Sequence, residues 1–427
     1  MSQNLLDITV QTSLAQLGAI DTPQVLYMLA ELRPPKKQVA AQVSQPLNLA
    51  LVIDRSTSMK GERLARVKTA ANLVIEKLAA GDTVSLITYS DRAEVVVPAT
   101  PLTNRLPLQA KIMGIQASGG TEIYQGLAAG MKEMSKVALD QHISHLILLT
   151  DGHTYGDGEQ CLELARTAAG RGIGFSAFGI GSEWNDQFLD ELVAPSGGQS
   201  GFIAEPEQIL HFLRQRIKGL GAVYAQNVRL SAKLPESVEI KEAFKLAPFA
   251  QPLTFANREL ALGAVEGRAP LSILLELTIH PVPAGRTLAI PLQFKANIAG
   301  QEKEEVTVNS MQQFAVVSKP RDRKMPEALV KAVQIFNMYR MNEKIFHDVE
   351  GGNIDAATKR MESLTQRFRE AGFTQLAQHA SAETQRLLQT GALSLEGHKQ
   401  LKYGTRTLLT SSLGVGLDAA EGGANNA

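Results

Sequence analysis

Three fold classes follow one another along this chain: a doubly wound α/β domain with a mostly parallel sheet, an all-β sandwich, and a C-terminal helical bundle. Over residues 47–220, short and nearly all-apolar runs alternate with amphipathic helical segments, the pattern of a parallel sheet covered on both faces. Over 222–318 the segments alternate polar and apolar residues between Pro and Gly, the pattern of a sandwich. Over 325–410 apolar residues recur at three- and four-residue spacing, the pattern of packed helices.

The elements justify themselves in order. Residues 1–46 hold two strand-like pieces, LDITVQTSL and VLYMLAELRPP, too little to enclose a core alone. They are expected to join the 222–318 sandwich, which makes the α/β unit an insertion between two halves of one β domain. Within 47–220 the strands are LALVID, TVSLITYS, SHLILLTD, GIGFSAFGIG and GQSGFIA. Helices are predicted over 61–80, 122–135, 158–170, 185–194 and 206–219. In the sandwich, NVRLSAKL, SILLELTIHP, LAIPLQFKA and EEVTVNSM read as strands. After the polar linker SKPRDRKMP, helices begin near Pro326 and are punctuated by Gly352 and Gly391. GNIDAATKRMESLTQRFREAG resembles the second helix of a tetratricopeptide-type hairpin. A single unit is no repeat array, so a plain bundle is expected, either a docking surface or packing against the sandwich. Residues 411–427 read as a disordered tail.

Composition removes several function classes. The 427 residues carry 43 Lys+Arg and 43 Asp+Glu, so no overall charge draws the chain to nucleic acid or an anionic membrane. The one cysteine, Cys161, lies in a helical pattern, forms no internal disulfide, and suits a reducing compartment. No uncharged apolar run reaches membrane-spanning length, and the opening MSQNLLDITVQ lacks the basic and apolar regions of a signal peptide. The expectation is a cytoplasmic protein.

Three separated pieces carry chemistry. LNLALVIDRSTSMKG ends an apolar run in Asp54, with Ser56 and Ser58 at alternate positions; ASGGTEIYQGL places Thr121 after two glycines; LILLTDG ends another apolar run in Asp151. In a doubly wound sheet, strand carboxyl ends gather at one edge, where ligands bind at the reversal of strand order. Two such strands deliver both aspartates to one crevice, and Gly119 and Gly120 allow the loop before Thr121 a close approach. Hydroxyl and carboxylate oxygens suit a hard cation. Read singly, each piece is also an ordinary turn or helix cap.

Together, in this order, the three pieces resemble the von Willebrand factor type A domain and its metal-ion-dependent adhesion site. DRSTS supplies the Asp-x-Ser-x-Ser element, SGGT the threonine loop and LLTDG the last aspartate. FGIGSEWNDQFLDELVAPSGG is similar to the family's later strand and helix. Thr57 stands where many relatives carry Gly, at a position that is no ligand in the family. The resemblance implies a Rossmann-like fold and a magnesium ion, with manganese or calcium as alternatives. It also implies that Ser56, Ser58 and Thr121 touch the ion, while Asp54 and Asp151 mainly hold its waters. The open position would take an acidic side chain from a protein partner. It further implies that the last α/β helix, PEQILHFLRQRIKGLG, couples to the site. The wider layout resembles bacterial proteins in which this domain interrupts a β-sandwich, as in inter-alpha-trypsin inhibitor heavy chains.

A binding module is therefore expected, not an enzyme. A metal-dependent hydrolase or phosphotransferase using Asp54 or Asp151, and a scaffold with a non-functional metal site, are the alternatives. Against catalysis, the sequence holds no P-loop, no Gly-x-Ser-x-Gly and no His-Glu-x-x-His. His153 and Tyr155 read as exposed loop residues near the site, Trp184 as packing for a loop, and Asp157 with Glu159 as a helix cap. Oligomeric state and the partner's identity have no signature in the sequence.

Overall fold

The computed structural model describes residues 5–35, 45–152, 156–205, 207–231, 233–256, 258–267, 269–300 and 305–412. It opens with β1 (Asp7–Thr12), the two-residue β2 (Leu17–Gly18) and β3 (Gln24–Arg33). The α/β unit follows: β4 (Leu47–Asp54), α1 (Glu62–Lys77), β5 (Thr83–Tyr89), β6 (Ala93–Pro101), α2 (Leu106–Met113), α3 (Ile123–Met134) and β7 (Ile143–Thr150). It continues through α4 (Gly158–Gly170), β8 (Gly174–Ile180), α5 (Asp186–Val193), β9 (Gln199–Ile203) and α6 (Gln208–Leu220).

The strand order β6-β5-β4-β7-β8-β9 is parallel except at the edge, where β6 runs antiparallel to β5. Every residue of β4, β5 and β7 is buried, because helices cover both faces. Leu49, Leu51 and Ile53 pack towards α1 and α6 through Leu64, Val67, Leu213 and Ile217. Their neighbours Ala50 and Val52 face α3 through Ile123 and Leu127. Gly126 lets α3 lie close to the sheet: a Cβ there would stand 2.5 Å from the ring of Tyr89. The strand order reverses between β4 and β7, and this reversal places the crevice.

The chain then builds β10 (Val223–Ser231), β11 (Val238–Ala247), β12 (Gln251–Leu253), β13 (Phe255–Ala256), β14 (Glu259–Glu266), β15 (Leu271–Ile279), β16 (Thr287–Ile298) and β17 (Glu305–Val317). One sandwich sheet runs β1-β3-β15-β11-β12 and the other β13-β14-β10-β16-β17-β2. Met28, Ala30, Ile273 and Leu275 meet Leu230, Ile290, Leu292 and Phe294 in the core between them. The N-terminal strands thus lie in the sheets formed by the later segment.

Four helices close the chain: α7 (Glu327–Glu350), α8 (Ile354–Glu370), α9 (Thr374–Thr390) and α10 (Leu395–Ser412). Leu329, Phe336 and Leu409 of α7 and α10 cover the outer sandwich face at Leu29, Phe244 and Leu274. Met338, Met361, Leu364, Phe368 and Leu401 fill the centre of the bundle. Helix α10 also reaches the α/β unit, where Tyr403 packs with Trp184 and Phe202. It continues to Ser412, into the segment read as a tail, and the rest of that segment lies outside the described residues.

Candidate metal centre

The site grows from the ends of β4 and β7. Their register pairs Ile53 with Leu149, so Asp54 and the Thr150-Asp151 step arrive side by side. Asp54 and Asp151 are buried, as are Ser56 and Thr121. The turn after β4 folds on its own carboxylate, with the Ser56 amide donating to Asp54 Oδ1 at 2.8 Å. The hydroxyls of Ser56 and Ser58 stand 3.0 Å apart, and Ser58 Oγ donates to Asp151 Oδ1 at 2.7 Å. One continuous chain of hydrogen bonds therefore joins the two strand ends.

The third piece is stitched on by its loop. Thr57 binds the Gly119 carbonyl through both its amide and its hydroxyl, each at 3.0 Å, and the Gly120 amide donates to Asp91 Oδ1 at 2.9 Å. Gly119 has φ +79°, and a Cβ there would stand 2.5 Å from Asp91 Oδ2, so this position requires glycine. Thr121 arrives beside the β7 end: a Cβ on Gly152 would lie 3.3 Å from its Oγ1. All five candidate residues thus come to one edge of the sheet.

Other residues at this edge escaped the sequence reading. Thr150 Oγ1 donates to Asp54 Oδ2 at 2.9 Å, and the Tyr89 hydroxyl reaches the same oxygen at 3.4 Å. Arg63, in the first turn of α1, places Nη1 2.7 Å from Asp151 Oδ2. The signals were slight: Thr150 is a β-branched residue at the end of an apolar strand, and Arg63 lies on the helix that follows the turn carrying Ser58. Burial raises the Asp54 carboxyl above the ordinary aspartate range, the charge of Asp151 adding to it, against the lowering pull of Ser56 and Thr150. Burial, then the Asp54 charge, pushes the Tyr89 hydroxyl well up.

The donors fit a hard cation and little else. They are oxygens throughout, and among the described residues no three His, Cys, Asp or Glu side chains gather at one point. Any ion held here would need the hydroxyls of Ser56, Ser58 and Thr121 beside the two aspartates. Cys161 is buried, and burial pushes its thiol up, which removes it as a nucleophile.

Neighbouring residues take structural places. Asp157 Oδ2 accepts the Tyr124 amide at 2.7 Å, so the side chain caps α3 and not its own helix. Trp184 is buried and donates to the Gly181 carbonyl at 2.6 Å, packing the turn between β8 and α5. His153 and Tyr155 lie outside the described residues.

Residues 48–215 match the von Willebrand factor type A sequence family. A solved von Willebrand factor type A structure from Catenulispora acidiphila superposes with a TM-score of 0.74 over 95% of this chain and 98% of that one, at 15% identity. Residues 48–215 are a von Willebrand factor type A domain. Residues 327–411 match the Sll0103-like C-terminal alpha-helical domain. The Synechocystis protein sll0103 is 28% identical over 314 residues, 67% of this chain and 74% of its own length. Human inter-alpha-trypsin inhibitor heavy chain H3 is 30% identical over 165 residues, 36% of this chain but 18% of that protein. A von Willebrand factor type A domain points to protein–protein interaction or metal-dependent binding. Among the described residues, no helix is long and apolar enough to cross a membrane.

Proposed function

We propose that the von Willebrand factor type A domain binds Mg²⁺ through Asp54, Ser56, Ser58, Thr121 and Asp151, and through the ion an acidic side chain of a protein partner. The observation that carries this reading is the unbroken line Asp54–Ser56–Ser58–Asp151, closed by Thr121. Neutral hydroxyls against the ion leave much of its charge uncancelled, and a carboxylate is the natural complement. Mn²⁺ and Ca²⁺ share the same donor preference.

The domain acts as a binding module rather than an enzyme. Among the described residues, the Ser56 and Ser58 hydroxyls bond each other and the two aspartates of the site, an arrangement that orders donors for a cation. The buried His145 lies at the opposite end of β7, bonded to Ser176. The lone buried thiol of Cys161 suits a cytoplasmic setting.

The test is a pair of measurements on the full chain. Calorimetry should show uptake of one Mg²⁺ or Mn²⁺ that Asp54→Ala abolishes. Partner capture from native lysate should vanish with EDTA, return with Mg²⁺, and fail with the same variant. Ion uptake unchanged in Asp54→Ala would overturn the reading.

A further inference from the structure

We propose that Arg63 is the resident cation of this site, holding the charge of Asp151 when no ion is bound and setting how tightly a divalent ion is taken. The proposal rests on the metal-binding reading above and adds a residue that reading does not use. Both oxygens of Asp151 are engaged, one by Ser58 and the other by Arg63 Nη1 at 2.7 Å. The Asp151 side chain is fully buried, whereas Arg63 keeps 36% of its side chain exposed. Among the described residues, Arg63 is the one cation paired with either buried aspartate of the site.

Its position is held from behind. A Cβ on Gly181 would stand 2.9 Å from Arg63 Nη2, so the guanidinium rests against the turn after β8. That turn is pinned by Trp184, which donates to the Gly181 carbonyl, and by Lys399 of α10, which donates to the Ser182 carbonyl at 2.7 Å. The guanidinium is therefore a built part of the rim and not a loose surface charge.

The consequences have definite signs. Two buried carboxylates repel, and Arg63 offsets one of them in the ion-free chain. A divalent ion arriving beside the guanidinium meets like charge and competes for the same carboxylate. Removing the positive charge should therefore tighten ion binding and weaken the ion-free fold together. A residue that merely orients Asp151 would do the opposite to ion binding. Because Arg63 makes a single contact with Asp151, lysine can supply the same charge.

The experiment titrates MnCl₂ into the full chain as wild type, Arg63→Gln, Arg63→Lys and Asp54→Ala, and records the melting temperature of each in EDTA. Arg63→Gln should bind Mn²⁺ about tenfold more tightly at low salt, with the gain shrinking as salt screens the exposed side of the guanidinium. It should also melt lower in EDTA and gain more from Mn²⁺, while Arg63→Lys stays near wild type in both. Equal or weaker Mn²⁺ binding in Arg63→Gln, or an Arg63→Lys that follows Arg63→Gln, overturns the proposal and leaves the metal site standing. No Mn²⁺ uptake by the wild type would overturn both.

Discussion

Arg406 on the last helix grips the buried carboxylate of Asp190 on α5 with both arms of its guanidinium, Nη1 to Oδ1 at 2.9 Å and Nη2 to Oδ2 at 2.6 Å. Lys402, one turn earlier, reaches the same carboxylate at 3.1 Å and also pairs with Asp186. Ser200 of β9 and Gln251 of the sandwich complete the acceptor shell of Asp190. One aspartate thus ties together the von Willebrand factor type A domain, the sandwich and the helical region. Removing one partner of a buried pair strands the other, at a cost of ~3–5 kcal/mol. Lys402 remains in Arg406→Ala, so the loss should fall at the low end, ~3 kcal/mol. Urea unfolding followed by fluorescence of Trp184, the chain's one tryptophan, reads it at the junction itself.

Acid should loosen the same junction. Burial alone would raise the Asp190 carboxyl, but the charges of Arg406 and Lys402 overcome it and hold the group well below the aspartate range. Asp186 behaves alike, burial being overcome by the His398 hydrogen bond and the Lys402 charge. A depressed folded pKa gives stability that is complete above the unfolded value of ~3.9 and lost as pH falls towards the folded one. The melting temperature should therefore fall progressively below about pH 4. Asp190→Asn should melt lower than wild type at pH 7, and the gap should narrow in melting curves taken towards pH 3. A gap that is constant with pH would contradict the assignment.

The helix behind the site should tolerate no added methyl. In Gly126→Ala the new Cβ would approach the Tyr89 ring at 2.5 Å and Val52 at 2.9 Å, with β4 and β5 packed behind them. Overpacking of this kind costs ~1–3 kcal/mol. The Tyr89 hydroxyl lies 3.4 Å from Asp54 Oδ2, so the displaced ring should also disturb the site. Lower stability in urea and weaker Mn²⁺ uptake by calorimetry are both expected.

What the sequence made legible follows the physics of each element. The strands β4, β5 and β7 are buried on both faces and read as apolar runs, and the aspartates at the ends of β4 and β7 stood out because a charge there interrupts nothing else. Strand β6 was not predicted: it is an edge strand whose short run Val95–Val97 is cut off by Pro98 and followed by mostly exposed or half-buried residues. Helix α2 has only eight residues, and its Leu106 and Met113 are exposed, which blurs the helical stripe. Thr150 with Asp54 and Arg63 with Asp151 are pairings across 96 and 88 positions, invisible without the strand order. The junction left a fainter trace. Lys399, Lys402 and Arg406 recur on one face of α10, and Asp186 and Asp190 are spaced one turn apart on α5, but nothing local says that the two stripes meet.

Thr150 offers the sharpest test of how the site is held. Its hydroxyl donates to Asp54 Oδ2 at 2.9 Å while accepting the Gly152 amide at 3.3 Å, so one side chain links the β4 carboxylate to the turn that carries Asp151. Thr150→Val keeps the volume and the branching but removes the donor from a fully buried carboxylate and leaves the amide without its acceptor. An unmet buried polar group costs ~1–3 kcal/mol, and the loss should appear as a lower urea midpoint. Free of that donor, Asp54 is less fixed in orientation, so Mn²⁺ uptake should also weaken. Thr150→Ser restores the hydroxyl without the methyl and should recover ion binding more fully than stability. Recovery of stability alone would mean that Thr150 serves only the packing of β7.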